Sequence, residues 1–494
     1  MPLQAASRNM MSSGRLRPDG AAEPALSELE RVQYRFHSTT WVFYLFAAMI
    51  AGSYFASDLL EDWICLLIVA AAAFVPVFLW ARKVVLGMPI MPVYAIVCLV
   101  YYGFPFVSDH PLIQQYSFAE KSFAAFTVAV VLVVMTVIWA FIAKTAKRGV
   151  RVVRTLSTTR GAIRLLMGGL VLAIIFQSNL MNAVISPGSE LYGVARAILL
   201  TLGLLSVFCL SYLLGAGTLV RVPRYLFVFL AIVFIGYHAV SLYLITAMQY
   251  SIAVAFGYFL GSGRVPWKLL VAFLAIVTVL QAGKVDTRIK YWEADATAPG
   301  SPVDLIVDWF RIGLENLADP GHSGAQGPIP VFQRTSLTHI LLKTQTEAPN
   351  PVPYLYGSSY ARIPLLAIPR VIWPERPNVS ASLVELNMQY GLLTEESAQT
   401  TSIGWGMIAE ANANFGFAGS VGLAMVLGLL IGLVQKFGGD FTVLSARGMT
   451  GLLVMSALLG VESSAAQFLT ILAQSFVPLL LLTWIVMDSH EVMA

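Results

Sequence analysis

The sequence has few charged residues and very little cysteine. Asp, Glu, Lys and Arg make up only 12% of its 494 residues, whereas apolar residues make up 57% and the mean hydropathy is +0.75. This composition excludes an ordinary soluble domain and indicates a multi-pass membrane protein. The three cysteines, Cys65, Cys98 and Cys209, all lie in apolar runs, so they predict neither a disulfide framework nor a metal site.

Several functional motifs are also absent. The chain has no P-loop, which argues against an ATP-driven pump, and no HExxH pair, which argues against a zinc protease. It has no DxD diacid to hold a nucleotide sugar through a metal ion. The net charge is only +4 and no basic stripe indicates a nucleic-acid partner. We therefore expect no metal, no cofactor and no nucleic acid.

The chain contains many long apolar runs of about 18–25 residues, and such runs cross a bilayer as helices. They predict an all-α polytopic membrane protein with about twelve transmembrane helices. The tenth run contains Gly428 and Gly432, a GxxxG pattern that favours close helix packing. The twelve runs are 41–57, 63–81, 88–108, 122–143, 163–185, 191–213, 224–243, 246–261, 267–283, 417–435, 448–462 and 466–487.

The charged residues of the short loops predict the orientation. Lys and Arg, without any acid, fill the loop 144–164, and acidic residues such as Glu61 and Asp62 lie in the alternate loops. By the positive-inside rule, both termini are cytoplasmic. The first 40 residues lack a signal-peptide core, so we expect a disordered cytoplasmic tail there and a short cytoplasmic end at 488–494.

One large insert, residues 284–402, separates nine predicted spans at 41–283 from the last three, and we expect it to be periplasmic. A connection of this length usually has a function or elements of its own. Apolar residues at helical spacing predict one helix over 303–317, at the outer membrane boundary, and a second over 334–343. Within 403–487, a turn at 414–416 is expected to separate a short outer helix from the tenth span.

The end of this insert carries three arginines on a proline-rich backbone: Arg362, Arg370 and Arg376. Proline fixes φ and removes a donor, so the segment is expected to be a rigid, irregular ribbon. The planar fork of guanidinium matches phosphate oxygens, which predicts a phosphate site. The alternative is that these are solvated arginines paired with Glu375 and Glu385.

Four further arginines are candidates for the same ligand. Arg288 follows the ninth span, and Arg311 and Arg334 lie on the two predicted loop helices. Arg196 lies inside the sixth span, where a charge costs about 2.5–3.5 kcal/mol and is functional or paired by default. The alternatives are snorkelling for Arg196 and Arg288, and surface ion pairs for Arg311 and Arg334.

Two residues are candidates for a general base. Glu410 lies just before the tenth span, and partial burial would suit it to take a proton from a sugar hydroxyl. Its alternative role is to pair with a loop arginine and order the site. His339 is the second candidate, although a lone histidine on a helix is more often structural.

These residues fall in a pattern that resembles the Wzy-type O-antigen and exopolysaccharide polymerases, and more distantly the O-antigen ligases. The pattern is G-S-x-Y, I-P-R-x-x-W-P-x-x-P, T-T-S and E-x-x-x-N-F-G, beginning here at Gly357, Ile368, Thr400 and Glu410. The resemblance implies a GT-C-like fold in a bacterial inner membrane. It adds Tyr360, Trp373 and Asn414 to the substrate-binding set.

The same resemblance implies the reaction. The enzyme would polymerise undecaprenyl-diphosphate-linked oligosaccharide repeat units at the periplasmic face, with undecaprenyl diphosphate as the leaving group. Its partners would be these lipid-linked glycans, membrane lipids and a chain-length regulator protein. Two alternatives stay open at this point: an O-antigen ligase that transfers polymer to lipid A core, and a flippase or transporter of lipid-linked glycan.

Overall fold

The computed structural model describes most of the chain after the N-terminal tail. The predicted tail falls almost entirely outside the described residues, as do Arg334 and Arg370. The described residues are 40–55, 59–144, 150–156, 159–178, 190–240, 244–292, 301–318, 335–366, 373, 375–376, 378–397, 402–438 and 443–493.

The part before the long insert is helical. Helix α3 continues into a π-helical turn, Leu99–Gly103, and a 3-10 turn, Phe104–Val107. The helices are α1 (Thr40–Phe55), α2 (Leu60–Ala81), α3 (Ile90–Cys98), α4 (Pro111–Gln114), α5 (Phe118–Lys144), α6 (Arg160–Gln177), α7 (Glu190–Gly215), α8 (Arg221–Val240), α9 (Leu244–Ser262) and α10 (Trp267–Ala282).

The insert and the last part of the chain are helical as well. The helix expected at 303–317 is observed as α12 with its ends shifted by one residue, whereas the one expected at 334–343 is observed as α13, which begins and ends four residues later. The later helices are α11 (Lys284–Trp292), α12 (Pro302–Ala318), α13 (Thr338–Glu347), α14 (Ser358–Ala361), α15 (Ile363–Leu366), α16 (Ala381–Gln389), α17 (Gly406–Gly438), α18 (Ala446–Leu459) and α19 (Ala465–Val486).

Each predicted apolar run contains a helix, and the fold is that of a helical multi-pass membrane protein. Among the described residues, eight helices are long and apolar enough to cross a membrane. A ninth results if α10 and α11, which meet at a bend of 52°, form one span. Helices α1 and α18 contain shorter apolar stretches. The count of twelve spans therefore stays a prediction.

Close helix packing builds the core. Helix α5 lies along α17, and a Cβ on Gly428 would come within 3.0 Å of the main chain of Met135. A Cβ on Gly432 would come within 3.0 Å of the Cβ of Ile142. Both glycines therefore let the two helices approach, which confirms the interpretation of the GxxxG pattern.

A two-stranded ribbon is the one departure from an all-helical fold in the described residues. Strand β1 (Val150–Leu156) pairs antiparallel with β2 (Met487–Met493), with Val150 opposite Met493 and Leu156 opposite Met487. The sequence of β1 is rich in β-branched residues, which favour strands. The loop after α5 and the C-terminal end thus meet on one side of the molecule.

Helix α12 packs on the bend between α10 and α11. The indole N–H of Trp309 donates to the carbonyl of Leu280 at 2.6 Å, and Gly313 lies against Val279. A second face of α12 exposes an apolar row at helical spacing, which suits the predicted membrane-boundary position. The exposed row is Val303, Val307, Phe310, Leu314 and Leu317.

Helix α17 is two helices joined by a sharp break. Phe415 has φ −141° and ψ 19°, and Gly416 has φ +61° and ψ −153°. The hydroxyl of Ser420 lies 3.4 Å from the carbonyl oxygen of Ile408, although twelve residues of continuous helix would separate them by about 18 Å. The first part therefore folds back on the second, which confirms the predicted short helix and its turn.

Candidate functional site

Glu410 lies in the short first part of α17 and is completely buried. Its Oε1 accepts a hydrogen bond from Ser359 Oγ at 2.9 Å, and its Oε2 accepts one from the main-chain N–H of Ala465 at 2.7 Å. Ala465 is the first residue of α19, where unpaired N–H groups and the helix dipole favour a negative charge. The carboxylate is thus held by the hydroxyl of Ser359 and by the first main-chain N–H of α19.

Asn414, one turn after Glu410, extends this network and is also completely buried. Its Nδ2 donates to Ser359 Oγ at 2.9 Å and to the Glu410 carbonyl at 2.8 Å. Its Oδ1 accepts from the main-chain N–H of Gly357 at 2.9 Å. Ser359, Glu410 and Asn414 therefore form one buried polar cluster, in which every named contact lowers the cost of burial.

The local sequence explains why segment 354–360 docks here. The break at Gly416 ends the short helix, so its last carbonyls lack partners within the helix. The N–H groups of Leu355 and Tyr356 donate to the carbonyls of Ala413 and Asn414, each at 3.1 Å. Gly357 then turns the chain with φ +91°, a conformation that glycine adopts at little cost.

Tyr360 lies beside the same cluster and is half-buried. Burial raises the pKa of the Tyr360 phenol, and the negative charge of Glu410 raises it further. The side chain is therefore a neutral hydrogen-bond donor at any physiological pH. The structure thus brings together three of the predicted site residues: Tyr360, Glu410 and Asn414.

Two arginines of the proline-rich ribbon segment are described, and they have different environments. The segment is not irregular throughout as predicted, because Ile363–Leu366 forms the short helix α15. Arg362 pairs with Glu385 at 2.9 Å, with both side chains partly exposed, so this pair contributes little to stability. Arg376 donates to the carbonyl of Leu366. Leu366 ends α15, which packs against α19. Trp373 is half-buried. Helix α15, which Arg376 contacts, thus lies against the helix whose first N–H binds Glu410.

The other predicted arginines that the structure describes lie on α7, α11 and α12. Arg311 is exposed on α12 and pairs with Asp308 at 2.9 Å and Glu315 at 4.0 Å, as the surface alternative predicts. Arg288 is half-buried on α11. Arg196 is exposed on α7, where its charge acts on His238 of α8 and Tyr250 of α9.

His339 occupies a packed position at the start of α13. Its ring stacks on His110 with centroids 5.0 Å apart, and its Nδ1 lies 3.2 Å from Ser336 Oγ. Burial, and then the neighbouring His110, lower the pKa of His339 to about 4. The ring is neutral and packed against His110 and Ser336, so this environment favours the structural role.

A second polar cluster lies next to the first, around the turn between α18 and α19. Glu462 is exposed, and the hydroxyl of Tyr101 hydrogen-bonds its carboxylate. The Glu462 carbonyl accepts from the N–H of Gly406 at 3.1 Å. The π-helical turn of α3 supplies Tyr101 and Tyr102, and their carbonyls accept from Leu337 and Thr338 at the start of α13.

Sequence reasoning missed Ser359, Tyr101 and Glu462. Ser359 lies within the G-S-x-Y motif, but nothing in the motif indicates that its hydroxyl joins Glu410 to Asn414. Glu462 lies at a turn between two apolar runs. A carboxylate at such a position is the one signal in the sequence that could have indicated a functional residue there. Tyr101 gives no signal, because aromatic residues are common at the ends of membrane helices.

Among the residues that the structure describes, no group of three His, Cys, Asp or Glu side chains could hold a metal ion. No family model, curated protein or solved structure matches the chain.

Proposed function

We propose that the protein is a glycosyltransferase that joins lipid-diphosphate-linked oligosaccharide repeat units at the outer face of a bacterial inner membrane. The observation that carries this proposal is the meeting of two separate motif segments. Residues 357–360 hydrogen-bond to residues 410–414 beside the first residue of α19. Such a buried, fully bonded scaffold at the end of a membrane helix suits a site that must hold its ligands in a fixed geometry.

The ribbon 362–376 supplies the positive charge in this proposal. Its arginines bind the diphosphate of the donor and stabilise the charge that develops on the leaving group. Arg376 is next to α15, and Arg362 can exchange its exposed partner Glu385 for a phosphate. Bidentate contacts of this kind bind more strongly than neutral hydrogen bonds. A hydroxyl of the second glycan then attacks the anomeric carbon, and polyprenyl diphosphate leaves.

The test is reconstitution of the purified protein in liposomes with a defined undecaprenyl-diphosphate oligosaccharide, without nucleotide. The proposal predicts a ladder of glycans that grows by whole repeat units, together with released undecaprenyl diphosphate. Transfer that requires added lipid A core would instead identify a ligase. Movement of the intact substrate across the bilayer without a new glycosidic bond would identify a flippase. Either of these results overturns the polymerase assignment.

A further inference from the structure

We propose that Glu462, rather than Glu410, receives the proton of the acceptor hydroxyl. This inference rests on the proposed glycosyl transfer and assigns its general base. The two residues lie on neighbouring segments, because the N–H of Gly406 donates to the main-chain carbonyl of Glu462 and the N–H of Ala465 donates to the Glu410 carboxylate. The segment 462–465 thus runs beside the first turn of α17, with Glu462 at one end of the contact and Glu410 at the other.

Glu410 is poorly placed to take a proton from a substrate. It has no exposed surface, and each of its carboxylate oxygens already accepts a hydrogen bond. A sugar hydroxyl could reach it only after Ser359 or the start of α19 moved away. A general base needs a lone pair within hydrogen-bond reach of the proton it takes. Glu410 therefore acts as a positioning residue that holds 357–360 against α19.

Glu462 has the access that Glu410 lacks. Its side chain is exposed, at the turn where α18 ends and α19 is about to begin. Its main chain is fixed by the bond from Gly406, and its Cβ lies 2.9 Å from the position that a Cβ on Gly404 would occupy. Tyr101 hydrogen-bonds the carboxylate. A carboxylate with solvent access, on a main chain fixed against the first turn of α17, suits a general base.

The π-helical turn Leu99–Gly103 supports this assignment independently. Turns of this type are frequent at functional sites. Here the turn places Tyr101 on Glu462 and leaves the Tyr102 hydroxyl buried, with no hydrogen-bond partner among the described residues. The Tyr102 oxygen lies 2.6 Å from the position of a Cβ on Gly406. A buried donor without a partner costs free energy unless a ligand or water satisfies it.

The proton transfer balances without any further reactant. The acceptor oxygen forms a bond to the anomeric carbon as its proton moves to the Glu462 carboxylate. The bond between that carbon and the phosphate oxygen breaks, and its electron pair stays on the departing diphosphate. Glu462 then releases the proton to water through its exposed face. No oxidant, reductant or metal takes part in this step.

The experiment compares donor binding and turnover in Glu462→Gln, Glu462→Asp and the control Glu396→Gln, which removes another exposed carboxylate from the insert. We expect Glu462→Gln to keep the Kd for the undecaprenyl-diphosphate oligosaccharide and to lose about 100-fold in kcat, the usual scale for a general base. Glu462→Asp should recover part of this loss. Glu396→Gln should match the wild type in both quantities.

Different results separate the base assignment from the proposed function. Turnover of Glu462→Gln within twofold of wild type, with normal donor binding, overturns the role of Glu462 and leaves the transferase intact. A wild-type protein that forms no glycosidic bond overturns the transferase itself. Tyr101→Phe is a second variant in case Glu462→Gln fails to fold. It should lower kcat with unchanged KM, and an unchanged kcat would contradict the assignment.

Discussion

Glu410 illustrates how a carboxylate can be buried without a cation. The sequence suggested a base or an arginine partner, whereas the structure gives it Ser359 Oγ and the N–H of Ala465. Neither partner has a charged side chain, so the positions of the charged residues in the sequence could not predict these contacts. The contact with Ala465 also joins α17 to α19, two helices that α18 separates in the sequence.

Replacement of Glu410 by alanine should therefore destabilise the fold. It leaves the Ala465 N–H and the Ser359 hydroxyl buried without an acceptor, at a cost of about 1–3 kcal/mol for each group. The measurement is the thermal unfolding midpoint of the purified protein in detergent. Glu395→Ala, which removes an exposed carboxylate, is the control and should leave the midpoint unchanged. Equal midpoints for both variants would show that the network does not stabilise the fold.

The arginines show how far residue types alone can predict a site. Arg311 has surface ion pairs and Arg362 has a partly exposed one, as the alternatives anticipated. Arg376 instead bonds a main-chain carbonyl of α15, which no pattern of charges could indicate. Asn414 and Tyr360 were predicted from the motif and do meet Glu410. What the motif could not give is the hydroxyl of Ser359 that connects them.

At the scale of elements, the break in α17 was predictable because its signal is local. The N-F-G sequence allows a turn, and Gly416 adopts φ +61° with ψ −153°, a region open essentially to glycine alone. The β1–β2 ribbon and the π-helical turn were not predicted. The β1–β2 pair joins residues more than three hundred positions apart. Pairing at such a distance leaves no pattern in the local sequence that would predict it.

Substitution of Gly416 by alanine should disrupt this break. The new Cβ would meet the Tyr354 hydroxyl at 2.9 Å, and the backbone would be strained by about 1–3 kcal/mol. The thermal unfolding midpoint should fall, and the rate of glycan polymerisation should fall with it. Gly422→Ala on the same helix is the matched control, because a Cβ there meets nothing within 4 Å. A Gly416→Ala protein as stable and active as Gly422→Ala would refute the importance of the break.

A buried ion pair joins α2 to α5 and gives a second prediction at this scale. Lys121 Nζ lies 2.8 Å from Asp62 Oδ1, both are buried, and Gln114 of α4 bonds each of them. Lys121→Met leaves Asp62 buried without its cation, which should cost about 3–5 kcal/mol.

A double-mutant cycle tests this pair directly. Lys121→Met combined with Asp62→Leu should cost clearly less than the sum of the single changes, because the second substitution removes the charge that the first leaves unpaired. The readout is the unfolding free energy of the four proteins in the same detergent. Additive losses would mean that the two charges do not depend on each other.

At the scale of the whole molecule, the β1–β2 pairing constrains the topology. Since the two strands meet, the chain between Leu156 and Met487 must cross the membrane an even number of times. Eight helices in this interval fill predicted spans: α6, α7, α8, α9, α10, α17, α18 and α19. The strand pairing agrees with the positive-inside prediction that the loop after α5 and the C-terminus share one side.

Cysteine labelling tests this topology. Cys65, Cys98 and Cys209 are buried, so they should contribute little background with a membrane-impermeant maleimide. In spheroplasts, Glu396→Cys in the insert should be labelled. Ser489→Cys, in β2, should react only after the membrane is permeabilised. Labelling of both positions in intact spheroplasts would contradict the predicted orientation, and with it the outer location of the candidate site.

The central claim is that guanidinium groups of the ribbon bind the diphosphate of a polyprenol donor. The most direct measurement is the Kd of undecaprenyl diphosphate for the protein in nanodiscs, compared between wild type, Arg376→Ala and the surface control Arg311→Ala. We predict a loss of about tenfold or more for Arg376→Ala, about 1.4 kcal/mol, and no change for Arg311→Ala. An Arg376→Ala protein that binds undecaprenyl diphosphate as tightly as wild type would contradict the account.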